Sequence, residues 1–207
     1  SFMESGSFVV AIDRDKKGLE ETCRENGDGV IPILADISKP EDVKRIMNET
    51  LDNFDSLDVL INNAAVAPHT SLLDETPELW DRVYSINCRG TFMMTQAAAR
   101  LMIEKGDGGR IINFSSGVSR RGSPGTAAYA SSRAAVEAFT RVAAIELSPY
   151  SILVNVVSPG LIDTQPKPLT NEMKKRLEKQ IPQMPLDRAG YAQEVVELLL
   201  LLFSEAS

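Results

Sequence analysis

The sequence predicts an α/β fold: a doubly wound parallel sheet with helices on both faces, three layers in one domain spanning residues 1–207. Two observations carry that expectation. Short, nearly continuous apolar runs recur along the chain, as in strands buried on both faces. Helix-length stretches with recognisable start signals lie between them. The runs fall at residues 8–12, 30–34, 57–61, 110–114 and 152–157.

The elements between the runs follow in order. Ser38-Lys39-Pro40-Glu41 has the form of a capping box with proline in the first turn, and opens a helix of roughly 14 residues reaching Phe54. Thr76-Pro77 is an N-cap followed by proline at the first helical position, and starts a helix of roughly 28 residues to about Glu104. A third helix runs from near Thr126 to Leu147, stopping before Pro149, and a fourth from Ala192 to Ser204. Residues 163–190 depart from this rhythm: prolines at 166, 168, 182 and 185 surround a short basic helix over 171–180. A stretch this long outside the sheet pattern reads as a substrate loop or lid.

Composition narrows the function classes. With 207 residues and 43% hydrophobic content the chain can bury one sizeable core. A net charge of −7 argues against a nucleic-acid partner, which needs a basic face, and leaves small molecules or other proteins. Cys23 and Cys88 are far apart and read as buried thiols; with His69 as the single histidine, no metal site is expected. The longest apolar run, 198–203, falls well short of the ~20 residues of a membrane span, and the opening residues show no leader pattern. A cytoplasmic protein with no membrane partner is the expectation.

The chemistry concentrates on one helix face. In Tyr129-Ala130-Ser131-Ser132-Arg133 a phenol and a cation stand at i and i+4, one turn apart on the same face, so the cation can stabilise a phenolate. Ser116 lies thirteen residues earlier, at the end of the fourth strand, where its hydroxyl can hold a carbonyl or alcohol oxygen while the tyrosine moves the proton.

This constellation resembles the short-chain dehydrogenase/reductase family, whose signature is Tyr-x-x-x-Lys with an upstream serine; arginine stands at 133 in place of the lysine. The resemblance covers essentially the whole chain and implies a Rossmann-like fold and an NAD(P)-dependent oxidoreductase interconverting secondary alcohols and ketones. It assigns Ser116, Tyr129, Arg133 and Asn87 to catalysis, with Asn87 holding a water in a proton relay. Asp13, after the first strand, would accept hydrogen bonds from the adenosine ribose and repel a 2′-phosphate, favouring NAD; the adjacent Arg14 leaves NADP open. Asp36 and Ile37 would meet the adenine, although Asp36 also reads as a turn cap before the next helix. Asn62-Asn63-Ala64-Ala65 is similar to the family's Asn-Asn-Ala-Gly; Asn63 and Ala64 would lie against the cofactor, the amides would tie adjacent strands, and Ala65 requires a negative φ. Ser115 would neighbour the nicotinamide ribose beside Tyr129 and Arg133. Pro159, Gly160, Ile162 and Thr164 resemble the stretch that holds the nicotinamide carboxamide. Arg120 and Arg121 read as solvated surface or as anchors for an anionic substrate.

Two family features do not precede or follow these residues: a Gly-rich strand-turn before Phe8, and a final edge strand. A fragment of a longer protein is therefore expected. Arginine cannot release a proton, so a relay through it should run poorly. The competing reading is a non-catalytic nucleotide-binding or scaffold protein of the same fold. Dimers or tetramers are implied by the resemblance.

Overall fold

The computed structural model describes residues 2, 3, 6–164, 171, 174, 177, 178 and 181–204. The chain divides into two compact units, Ser1–Ser158 and Pro159–Ser207.

The first unit carries β1 (Val9–Asp13), α1 (Lys16–Asn26), β2 (Val30–Leu34), α2 (Pro40–Phe54), β3 (Val59–Asn62), α3 (Pro77–Tyr84), α4 (Thr91–Lys105), β4 (Gly109–Phe114), α5 (Val118–Arg121), α6 (Ala127–Leu147) and β5 (Ile152–Val157). All five apolar runs are strands, displaced by at most two residues. The strands pair in parallel, with helices on both sides, as buried βαβ units require. They form two ladders, β1-β2 and β3-β4-β5. Among the described residues no ladder bond joins them, yet one apolar cluster spans both. Ile33 of the first ladder and Leu60, Ile111 and Val154 of the second pack with Ile46 of α2 and Met94, Ala98 and Met102 of α4. Gly108 makes the entry to β4: it sits at φ +76°, and a Cβ there would lie 2.6 Å from the Ser151 carbonyl oxygen.

The helix starts behave unequally. Thr76 caps α3 as expected, its hydroxyl accepting from the Leu79 amide at 3.2 Å. The capping box at Ser38 does not form: Lys39 is the N-cap, and the Ser38 hydroxyl donates instead to Asp36 Oδ1 at 2.7 Å. The expected helix over 77–104 is interrupted by a π-helical segment, Ser85–Gly90, between α3 and α4. Gly90 closes that segment hard against β2's exit, since a Cβ would stand 2.9 Å from Ile37 Cδ1. The two cysteines are half-buried, short of the buried thiols expected.

In the second unit Ile162–Asp163 and Gly190–Tyr191 form a short parallel pair, and a helix spans Ala192–Phe203. Arg188 grips Glu194 through two nitrogens at 2.9 and 2.7 Å, and the Tyr191 amide donates to the same carboxylate. With Arg188 foremost, these bonds pull the Glu194 carboxyl down to about 2. Most of the basic helix expected over 171–180 lies outside the described residues.

Candidate active site

The site grows from the carboxyl ends of β3, β4 and β5 and from α6. Asparagines at matching positions lock the strands together: Asn62 Nδ2 donates to Asn113 Oδ1 at 2.8 Å, and Asn113 Nδ2 to Thr140 Oγ1 on α6 at 2.9 Å. Asn62 also reaches Thr95 Oγ1 of α4 at 3.0 Å. All four are buried, so the network holds two strands and two helices in one arrangement. The strand-tying amide is thus that of Asn62, whereas Asn63 is exposed. Ala65 adopts no positive φ, so the replacement of glycine costs no backbone strain.

Asn87 explains the π segment. Its amide pairs with both backbone groups of Val66, accepting from the nitrogen at 2.8 Å and donating to the carbonyl at 2.9 Å. It also donates to Ser132 Oγ at 3.1 Å, and Ser132 Oγ donates to the Tyr129 carbonyl at 2.8 Å. Asn87 is fully buried. Its side chain therefore ties the β3 exit to the turn of α6 that carries Tyr129, and π segments occur at such functional insertions. Its backbone carbonyl accepts from Thr91 Oγ1 at 2.9 Å.

Tyr129 and Arg133 meet as their spacing requires. The Arg133 guanidinium carbon lies 5.4 Å from the Tyr129 ring centroid, within cation–π range. Arg133 is only 4% exposed, and its Nη1 donates to the Phe114 carbonyl at the end of β4 at 2.7 Å. Its Nε is buried without a partner. A buried donor left unpaired costs about 1–3 kcal/mol, so it marks a place where a ligand acceptor fits. Ser116 stands two residues beyond Phe114, half-buried, its hydroxyl accepting weakly from the Val118 amide at 3.5 Å.

Ser115 and Glu137 complete the floor. The Ser115 hydroxyl is 2.8 Å from Glu137 Oε1 and 3.1 Å from the Arg133 carbonyl. Burial opposes ionisation of Glu137. Hydroxyls of Ser119, Ser115 and Ser158, with Arg120 nearby, outweigh it and hold the carboxyl below the usual carboxylate range. Sequence reasoning passed over Glu137 and Ser132, although one acid in the apolar stretch Ala134-Ala135-Val136-Glu137-Ala138-Phe139, at i+4 from Arg133, is a visible signal. Arg120 is exposed, as expected of surface, but pairs with Glu137 at 3.4 Å.

A cleft of about 110 Å³ opens at the ends of β1 and β2, lined by Asp13, Arg14, Asp36, Ile37, Ala64 and Ile86 among others. Asp13 is exposed, its Oδ1 accepting from the Asp15 amide at 2.9 Å. Asp36 caps the turn, accepting from the Ser38 amide and hydroxyl, and also lines the cleft. Burial opposes its ionisation, but those two bonds, with Lys39 and Arg14 nearby, lower its carboxyl below the ordinary value. The cleft thus offers an exposed acid, small residues and apolar walls at the strand ends. Pro159, Gly160, Ile162 and Thr164 lie in the second unit, where Ile162 pairs with Gly190 and the Thr164 amide donates to the Ile162 carbonyl.

Parallel ladders covered by helices, a cleft at the strand ends and a tyrosine–arginine pair are features found in dinucleotide-binding oxidoreductases. A family model described as "Enoyl-(Acyl carrier protein) reductase" matches residues 1–207. The chain is 33% identical to the Thermotoga maritima 3-oxoacyl-(acyl-carrier-protein) reductase FabG over 211 residues, covering all of this chain and 84% of that protein. It is 35% identical to carbonyl reductase (NADPH) 2 of Sus scrofa, covering 98% of this chain and 81% of that one. The crystal structure of a Brucella melitensis 3-ketoacyl-(acyl-carrier-protein) reductase complexed with NADH superposes with a TM-score of 0.90 at 30% identity, over 99% of this chain and 83% of that one. The chain belongs to the short-chain dehydrogenase/reductase family and is an NAD(P)-dependent oxidoreductase acting between alcohol and carbonyl groups. Among the described residues no helix is long and apolar enough to cross a membrane.

Proposed function

We propose that the protein interconverts a secondary alcohol and a ketone, with Tyr129 as the proton-transfer group, Ser116 holding the substrate oxygen, Arg133 organising the phenol and cofactor, and Asn87 supporting the relay. The observation that carries this reading is Arg133. It is buried, stacked on the Tyr129 ring, pinned to the Phe114 carbonyl two residues before Ser116, and left with one unpartnered nitrogen. A nicotinamide bound here supplies or takes the hydride at the substrate carbon. The chain's own residues do the rest. Ser116 donates to the substrate oxygen, Tyr129 gives or takes its proton, and Arg133 Nε donates to a ribose hydroxyl while its charge favours the phenolate.

NAD is preferred over NADP, because Asp13 at the cleft wall offers a carboxylate to ribose hydroxyls and repels a 2′-phosphate. The named relatives include both an NADPH enzyme and an NADH complex, so the preference rests on Asp13 itself. The substrate is a small carbonyl or alcohol, and the acyl-carrier relatives make a 3-ketoacyl thioester the first compound to try. A cytoplasmic homodimer or homotetramer is part of the same reading.

The test is Tyr129→Phe, assayed for NADH oxidation with 3-ketoacyl thioesters and simple ketones. Loss of the proton donor lowers turnover by at least about 100-fold, with NADH affinity held within about threefold. A variant that keeps a tenth or more of the wild-type rate overturns the assignment of Tyr129.

A further inference from the structure

Glu137 is a buried carboxylate with three serine hydroxyls around one oxygen and no role in the chemistry proposed above. Oε1 stands 2.8 Å from Ser115 Oγ, 2.7 Å from Ser119 Oγ and 3.2 Å from Ser158 Oγ. These serines come from the exit of β4, from α5 and from the exit of β5, so one charge gathers three separate segments. Hydrogen bonds to an ionised carboxylate are the strong ones, and a buried carboxylate is tolerable only when so supplied. The Arg120 side chain paired with Oε2 is 72% exposed, and a pair so open to water adds little.

The geometry points to Glu137 as a positioning residue, which holds the turn bearing Ser116 in register with the helix bearing Tyr129 and Arg133. The inference rests on the reading of Ser116 and Tyr129 given above. Ser116 lies between two residues tied to Glu137, and its carbonyl accepts from the Ser119 amide at 3.0 Å and stands 2.7 Å from the Ser119 hydroxyl oxygen. On the helix side Glu137 is one turn beyond Arg133, whose carbonyl lies 3.1 Å from Ser115 Oγ. The carboxylate is thus the point at which the serine turn and the tyrosine helix are joined. Misplacement of a reacting group by about 1 Å costs on the order of 100-fold in rate, so this junction acts on turnover more than on binding.

Glu137→Gln keeps the volume and removes the charge. It is compared with wild type in thermal melting, NADH titration, steady-state turnover and amide hydrogen exchange, with Tyr129→Phe run in parallel. The expected result is a folded variant with kcat lowered about 10- to 100-fold and NADH affinity within about threefold. Exchange over residues 115–119 is faster by about tenfold or more, while residues 129–133 stay unchanged. A purely structural role would lower the melting temperature and leave kcat of the folded fraction intact, which overturns the proposal. Unchanged kcat and exchange in Glu137→Gln, with turnover lost in Tyr129→Phe, overturns the positioning role and leaves the site standing. Turnover retained in Tyr129→Phe overturns both. Should Glu137→Gln fail to fold, Ser119→Ala removes one of the three donors; it is expected to show the same kcat and exchange changes at smaller size, and its indifference overturns the proposal.

Discussion

The exits of β4 and β5 and the exits of β1 and β2 present two kinds of binding surface on one unit. At the first, polar groups are buried and, Arg133 Nε apart, satisfy one another: Asn62, Asn113, Thr95 and Thr140 are linked, and Glu137 gathers its serines. At the second, Asp13 and Arg14 are exposed along an open cleft, and Asp36 is committed mainly to its own turn. The difference teaches where precision is built in. Under the proposed function the reacting groups stand on a preorganised network, whereas the nucleoside would meet side chains that solvent still reaches. Substitutions at the first region should therefore act on stability and turnover, and those at the second on cofactor affinity alone.

Asn113→Ala strikes the buried region hardest. It removes an acceptor from the Asn62 amide and a donor from the Thr140 hydroxyl, leaves a cavity, and should destabilise the protein by about 2–4 kcal/mol, read as a lower denaturation midpoint at unchanged m-value. A midpoint that does not move would mean that the network holds nothing. Asp13→Ala probes the open region. It should weaken NADH binding by about tenfold, roughly the value of one good charged hydrogen bond, leave NADPH no weaker, and leave the melting temperature in place. Calorimetric titration with both nucleotides checks it. Tighter binding of NADPH by the wild type would remove the proposed preference.

The same contrast sets what could be read from the sequence. The strands were legible because a strand buried on both faces must be apolar throughout, and the Tyr129–Arg133 stack because i and i+4 share a helix face whatever surrounds them. The contact that makes the π segment was not legible, since Asn87 meets Val66 across 21 residues of chain. The serine ring of Glu137 likewise draws on three segments that only the tertiary fold brings together. The Ser38 capping box misled for a local reason: Asp36 competes for the serine hydroxyl and wins it.

Arginine at 133 remains the feature on which the mechanism turns. It sets its charge over the Tyr129 ring and, in the proposed function, would offer a donor to the cofactor, but it cannot pass a proton. The direct measurement is Arg133→Lys, with Arg133→Met beside it, in steady-state turnover and NADH titration. The lysine variant should hold NADH affinity within about threefold and raise kcat, because an ammonium keeps the charge and can enter a relay, whereas the methionine variant should lose both. A kcat that stays level or falls in Arg133→Lys would contradict the account.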